Sequence, residues 1–133
     1  RAFMMFPKQK QMPQAEWNRY KRFLHQDIGF CCLSGRIDID IAHVGDVTTG
    51  KGMGFKCPDY EVLPLSKRLH RAEHWGQFIF WANAFPGECR ISWARDLYQC
   101  FASGDRRMAI DKMHDMKGKA DRQYLESVLA VAA

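Results

Sequence analysis

Between Gln14 and about Gln26, the apolar residues Trp17, Tyr20, Phe23 and Leu24 recur at helical spacing while Arg19, Lys21 and Arg22 face away. This spacing predicts an amphipathic helix with one basic side. The segment before it mixes apolar and basic residues and ends in Pro13, which suits the first turn of a helix. The period then changes. Phe30, Cys31 and Cys32 form a short apolar run, Ser34 and Gly35 supply a turn, and Ile37, Ile39 and Ile41 alternate with Arg36, Asp38 and Asp40. That pattern predicts a β-hairpin whose second strand ends at His43. Four glycines fall among the ten residues from Gly45 to Gly54, which makes a loop, and loops of this length usually carry function.

After the loop, the apolar extended stretch YEVLPLS leads into a helix expected from Lys67 to about Asn83, with Ser66 as its N-cap. Leu69, His70, Glu73, His74, Gln77, Phe78 and Trp81 lie along neighbouring stripes of that helix. Further helices are expected from Ser92 to about Ala102, from Asp105 to about Met116, and over the last residues of the chain. The density and spacing of Trp75, Phe78, Phe80, Trp81 and Phe85 predict a core with these later helices rather than a platform for stacking bases. The expected fold class is α+β, a small β-hairpin core wrapped by helices at both ends. One domain spans 1–133: a basic arm and helix over 1–29, a core over 30–83 and a helical C-terminal extension over 84–133.

Composition narrows the class. A chain of 133 residues that is 47% hydrophobic and 26% charged reads as globular. No apolar run approaches the roughly 18 residues that would span a bilayer, and no signal peptide opens the chain, so a soluble cytoplasmic protein is expected. Five cysteines without a secretory signal argue for reduced thiols rather than a disulfide framework, and Cys31-Cys32 lacks the spacing of a zinc knuckle. Basic residues outnumber acidic ones by 20 to 15 and crowd both ends of the chain. This balance fits either a polyanion partner or a solvated, mildly basic surface.

The chemistry centres on three histidines. His70 and His74, one turn apart on a helix, can share one divalent cation. A strand-terminal His43 brought over that helix would be positioned to take a proton from water near neutral pH. Asp38 and Asp40, polar positions of the same strand, are exposed residues or oxygen donors, and Asp40 is a candidate metal ligand. Lys51, Lys56, Lys67, Arg68 and Arg71 surround this group in sequence and are candidates for phosphate contact.

At these residues the chain resembles the HNH endonuclease superfamily, the ββα-metal or His-Me finger nucleases, and in particular the small ones carried by phages and prophages. The matching residues are Ala42-His43, Gly52-Met53-Gly54, Lys56, Asp59, Pro64-Leu65, His70 and His74, within a segment of about residues 30 to 76. The resemblance implies a ββα-metal core, His43 as general base, and His70 and His74 as ligands of one divalent ion, Zn, Mg, Mn or Ni. It puts Asp59, or as second choice Glu61, where the family usually has asparagine. It also implies a divalent-metal-dependent DNA endonuclease working in a bacterial host cell. Ala42 stands where many relatives carry a metal ligand, and Ser34 and Ser66 where a zinc-binding cysteine would fall. The alternative is a noncatalytic nucleic-acid-binding module, or a recombination accessory protein acting with a partner, on a degenerate HNH scaffold.

Overall fold

A computed structural model of the chain describes residues 12–45 and 58–132. The glycine-rich segment with Lys51, Lys56 and the Gly52-Met53-Gly54 motif lies outside the described residues, as do most of the N-terminal arm and Cys57. The architecture is α+β. Helix α1 (Gln14–Arg22) starts after Pro13 and widens into a π-helical turn, Phe23–Ile28, closed by Gly29 in the left-handed region at φ 73°. Strands β1 (Ile39–His43) and β2 (Val62–Ser66) form an antiparallel pair, and α2 (Lys67–Trp75) follows β2 directly. Helices α3 (Gln77–Ala84), α4 (Arg90–Ala102), α5 (Arg106–Lys119) and α6 (Arg122–Ala132) complete the chain. None of the described helices is long and apolar enough to cross a membrane.

The hairpin differs from the one expected. Residues 30–37 form no strand; they fold into a turn in which Cys31 N–H donates to the Arg36 carbonyl (2.7 Å) and Gly35, at φ 80°, donates to Cys31 (2.9 Å). The Cys31 sulfur also accepts from the Leu33 and Ser34 amides, so the apolar run is wrapped on its own thiol. The partner of the isoleucine strand is instead VLPLS, every residue of which is buried. Ile39 faces Ser66, Asp40 faces Leu65, Ile41 faces Pro64, Ala42 faces Leu63 and His43 faces Val62. The Pro64 carbonyl accepts from Cys32 N–H at 3.0 Å. Its ring nitrogen therefore also points away from β1, where the missing N–H costs the ladder nothing.

The helix expected over 67–83 is two helices. The chain is extended at Gly76, a poor helix former, and Glu73 clamps the joint. Glu73 is only 1% exposed, and its Oε2 accepts from Gln77 Nε2 at 3.0 Å and from Trp81 Nε1 at 2.9 Å. This break also corrects the aromatic assignment: Phe80, Trp81 and Phe85 enter the core, whereas Trp75 is 88% and Phe78 80% exposed. Ser66 occupies the N-cap position of α2, but its hydroxyl is buried without a partner among the described residues, and Lys67 N–H donates to the Asp38 carbonyl instead. Asp105 does cap α5, accepting from Met108 N–H at 3.0 Å.

One core joins these elements, built from Leu24, Leu63, Leu65, Leu69, Leu97, Met113 and Leu125. Glu61, at the entrance of β2, is tied to α4 by Arg95, whose Nε lies 2.8 Å and Nη2 2.5 Å from Glu61 Oε2. Cys31, Cys32 and Cys100 are free and buried, and burial pushes the Cys32 thiol well up; Cys89 is exposed. Tyr20 is fully buried against Phe23, Tyr98 and Phe101, and its hydroxyl finds no hydrogen-bond partner among the described residues. Deleting that oxygen keeps the ring contacts and removes a desolvated, unsatisfied group. Tyr20→Phe is therefore expected to stabilise the fold by about 1 kcal/mol; a fall in the thermal midpoint would show that the hydroxyl has a partner.

Candidate metal and acid–base site

Strand β1 presents different groups on its two faces, because successive side chains alternate. Asp40 points toward α2, where its Oδ1 receives Lys67 Nζ at 2.7 Å and its Oδ2 receives His70 Nδ1 at 3.1 Å. His43 belongs to the other face and packs on Trp17 of α1, ring centroids 5.7 Å apart. The strand pair thus carries two polar groups, one built on α2 and one beside α1.

In the first group, His70 and His74 approach through their Nε2 atoms at 3.2 Å. Two nitrogens each about 2.0–2.1 Å from one tetrahedral ion lie roughly 3.3 Å apart, so this spacing fits a shared divalent cation. Asp40 occupies the opposite edge of the His70 ring. It accepts the Nδ1 proton, which leaves the Nε2 lone pair for a metal and fixes the ring plane. Asp40, expected among the ligands, stands behind one of them. The hydrogen bond from Lys67, and then that from His70, holds the Asp40 carboxyl below its usual range.

A carboxylate oxygen of Glu73 comes within 4.8 Å of the donor nitrogens of both histidines and completes a possible three-residue donor set. Sequence reasoning placed Glu73 on the right stripe but gave it no role. The available signal was a glutamate four residues before Gln77 and eight before Trp81.

In the second group, His43 Nε2 lies 2.9 Å from Asp59 Oδ1, and Asp59 is buried in the turn before β2. The carboxylate accepts from Nε2–H, which puts the basic lone pair on Nδ1. Of the two acidic residues considered for this position, Asp59 is the one that touches His43; Glu61 is engaged by Arg95. Trp17 beneath His43 went unnoticed in the sequence because its helical spacing marked it as core. Ala42, just before His43, is fully buried and faces Leu63. It supplies packing and no donor atom.

The basic residues divide. Lys67 is neutralised by Asp40, whereas Arg68 and Arg71 have no acidic partner among the described residues. Lys51 and Lys56 lie outside the described residues. Compared with known proteins, the chain matches no family model, no curated protein and no solved structure.

Asp40→Asn is expected to weaken divalent-metal binding by about 10- to 100-fold, the usual effect of losing a carboxylate that orients a ligating histidine. Asp38→Asn, whose only described side-chain partner is the exposed Arg36, serves as the control and should leave it unchanged. Calorimetric titration with zinc or nickel distinguishes the two; equal affinities would remove Asp40 from the site.

Proposed function

We propose that this chain is a divalent-metal-dependent DNA endonuclease with a ββα-metal core formed by β1, β2 and α2. The observation that carries the reading is a two-histidine grip, backed by Asp40 on one face of β1, together with a third histidine, oriented by Asp59, on the other face of the same strand. Hydrolysis of a phosphodiester needs a base for water and a centre that accepts negative charge, and these two groups supply candidates for both.

His43 takes a proton from water as the oxygen attacks phosphorus, and the Asp59 carboxylate stabilises the imidazolium that results. His70 and His74 would hold one divalent ion, and Asp40 keeps the His70 ring turned toward it. An ion bound there would stabilise the charge that builds on the phosphate and the departing oxygen. The P–O bond to the leaving strand breaks, and solvent protonates the released oxygen. Arg68 and Arg71 are the candidate phosphate contacts among the described residues.

His-x-x-Glu-His is also a donor pattern of zinc hydrolases in which the glutamate is the base. In this chain Glu73 is buried and its Oε2 is bonded to Trp81 and Gln77, which favours His43 as the base.

The test is cleavage of supercoiled plasmid after chelation and single additions of Mg, Mn, Ni or Zn. His43→Ala is expected to lower nicking by about 10²- to 10⁴-fold while metal binding persists. His70→Ala should lose both. Absence of cleavage with every metal, alongside salt-sensitive DNA binding in all three proteins, would replace the enzyme with a nucleic-acid-binding module.

A further inference from the structure

The face of α2 next to the histidine pair is open. Arg68, Arg71 and Trp75 from α2 and Ser127, Val128 and Val131 from α6 line a groove of about 470 Å³. Trp75 and Val131, both lining it, are each 88% exposed. Among the described residues no acidic side chain lines the groove, so two guanidinium groups border an apolar trough.

Charge and shape together restrict the occupant. A purely apolar segment would leave both arginines unmatched, and a free phosphate would leave the indole bare. A nucleotide satisfies both, since every base has a flat face for an aromatic ring and carries a phosphate on each side. Position adds a second constraint. Arg71 directly follows His70 and Trp75 directly follows His74, so groove and grip are adjacent stripes of one short helix. A strand lying in the groove would bring a neighbouring phosphodiester to the histidines. A base can lie flat on Trp75 only when it is out of a duplex stack, which costs least in a single strand.

We propose that the groove between α2 and α6 holds an unpaired base of the nucleic acid, stacked on Trp75, with Arg68 and Arg71 on the flanking phosphates. The inference rests on the nuclease reading and makes single-stranded or locally unpaired DNA the preferred substrate.

The test is fluorescence-anisotropy binding of the full chain, with chelator present, to a labelled single-stranded oligonucleotide and to the duplex of equal length. The wild type should bind the single strand more tightly than the duplex, and Trp75→Ala should weaken single-strand binding by about 10-fold or more. Trp75→Phe should restore most of the loss. Arg68→Gln with Arg71→Gln should reduce the slope of log affinity against log salt by about 1.4, two contacts at roughly 0.7 each. Because Trp75 is exposed, its removal leaves the core intact, which circular dichroism checks.

Equal affinity for single strand and duplex, with Trp75→Ala unchanged, would overturn the groove as the binding site, and wild-type plasmid nicking would then show whether the nuclease reading survives. A wild-type dimer that Trp75→Ala dissociates in sedimentation, with single-strand binding unaffected, would overturn it in favour of an interface between two copies. Failure of the wild type to bind any nucleic acid would remove both the groove assignment and the nuclease reading.

Discussion

The register between β1 and β2 is the constraint from which the rest follows. Side chains alternate across a strand, so sliding β1 by one residue would exchange its two faces. Asp40 would turn away from α2, and His43 would leave its place beside Trp17. The register is fixed by packing: Ala42 and Leu63, both fully buried, face each other, and Ile39 is buried opposite Ser66. Because β2 runs into α2 without a connecting residue, the same register sets the first turn of α2 beside Asp40. Ordinary hydrophobic burial thereby determines the geometry of the polar site.

Buried carboxylates hold the periphery of this arrangement. Glu73 joins two helices through Gln77 and Trp81, and Glu61 joins β2 to α4 through Arg95. Each is an anchor that a hydrophobic residue of similar size could not imitate in direction, since a carboxylate accepts bonds at defined angles. Glu61 Oε1 nevertheless makes no bond among the described residues, so that pair is only partly satisfied. The molecule combines a well-packed core with a few directional ties at the places where helices meet the hairpin.

Much of this was legible in the sequence, and the failures have physical causes. The amphipathic first helix, the strand ending at His43, the extended VLPLS segment and the later helices all follow from local periodicity. The partner of the isoleucine strand did not, because pairing is a long-range choice and a nearby apolar run, Phe30 to Cys32, offered a shorter loop. The break at Gly76 was hidden by apolar stripes that continue through it, and only the bonds made by Glu73 reveal the joint. His70 and His74 were readable from their spacing. That Asp40 would meet Nδ1 of His70, and not the opposite side of the ring, depended on a register no local pattern contains. Trp75 and Phe78 were read as core because spacing cannot tell a stripe that is covered from one that is left open.

The π-helical turn Phe23–Ile28 carries a different kind of consequence. Gly29 N–H reaches the Leu24 carbonyl, five residues back, so the helix holds one more residue in that turn than an α-helix would. Here the added residue sets the angle at which the chain leaves the helix, and that exit delivers the 30–37 turn whose Cys32 amide closes the outer edge of β2. Deleting one residue between 23 and 28 would turn this segment into an ordinary α-helical turn and change where the chain leaves the helix. The locally less favourable helix is thus what keeps the sheet's free edge covered.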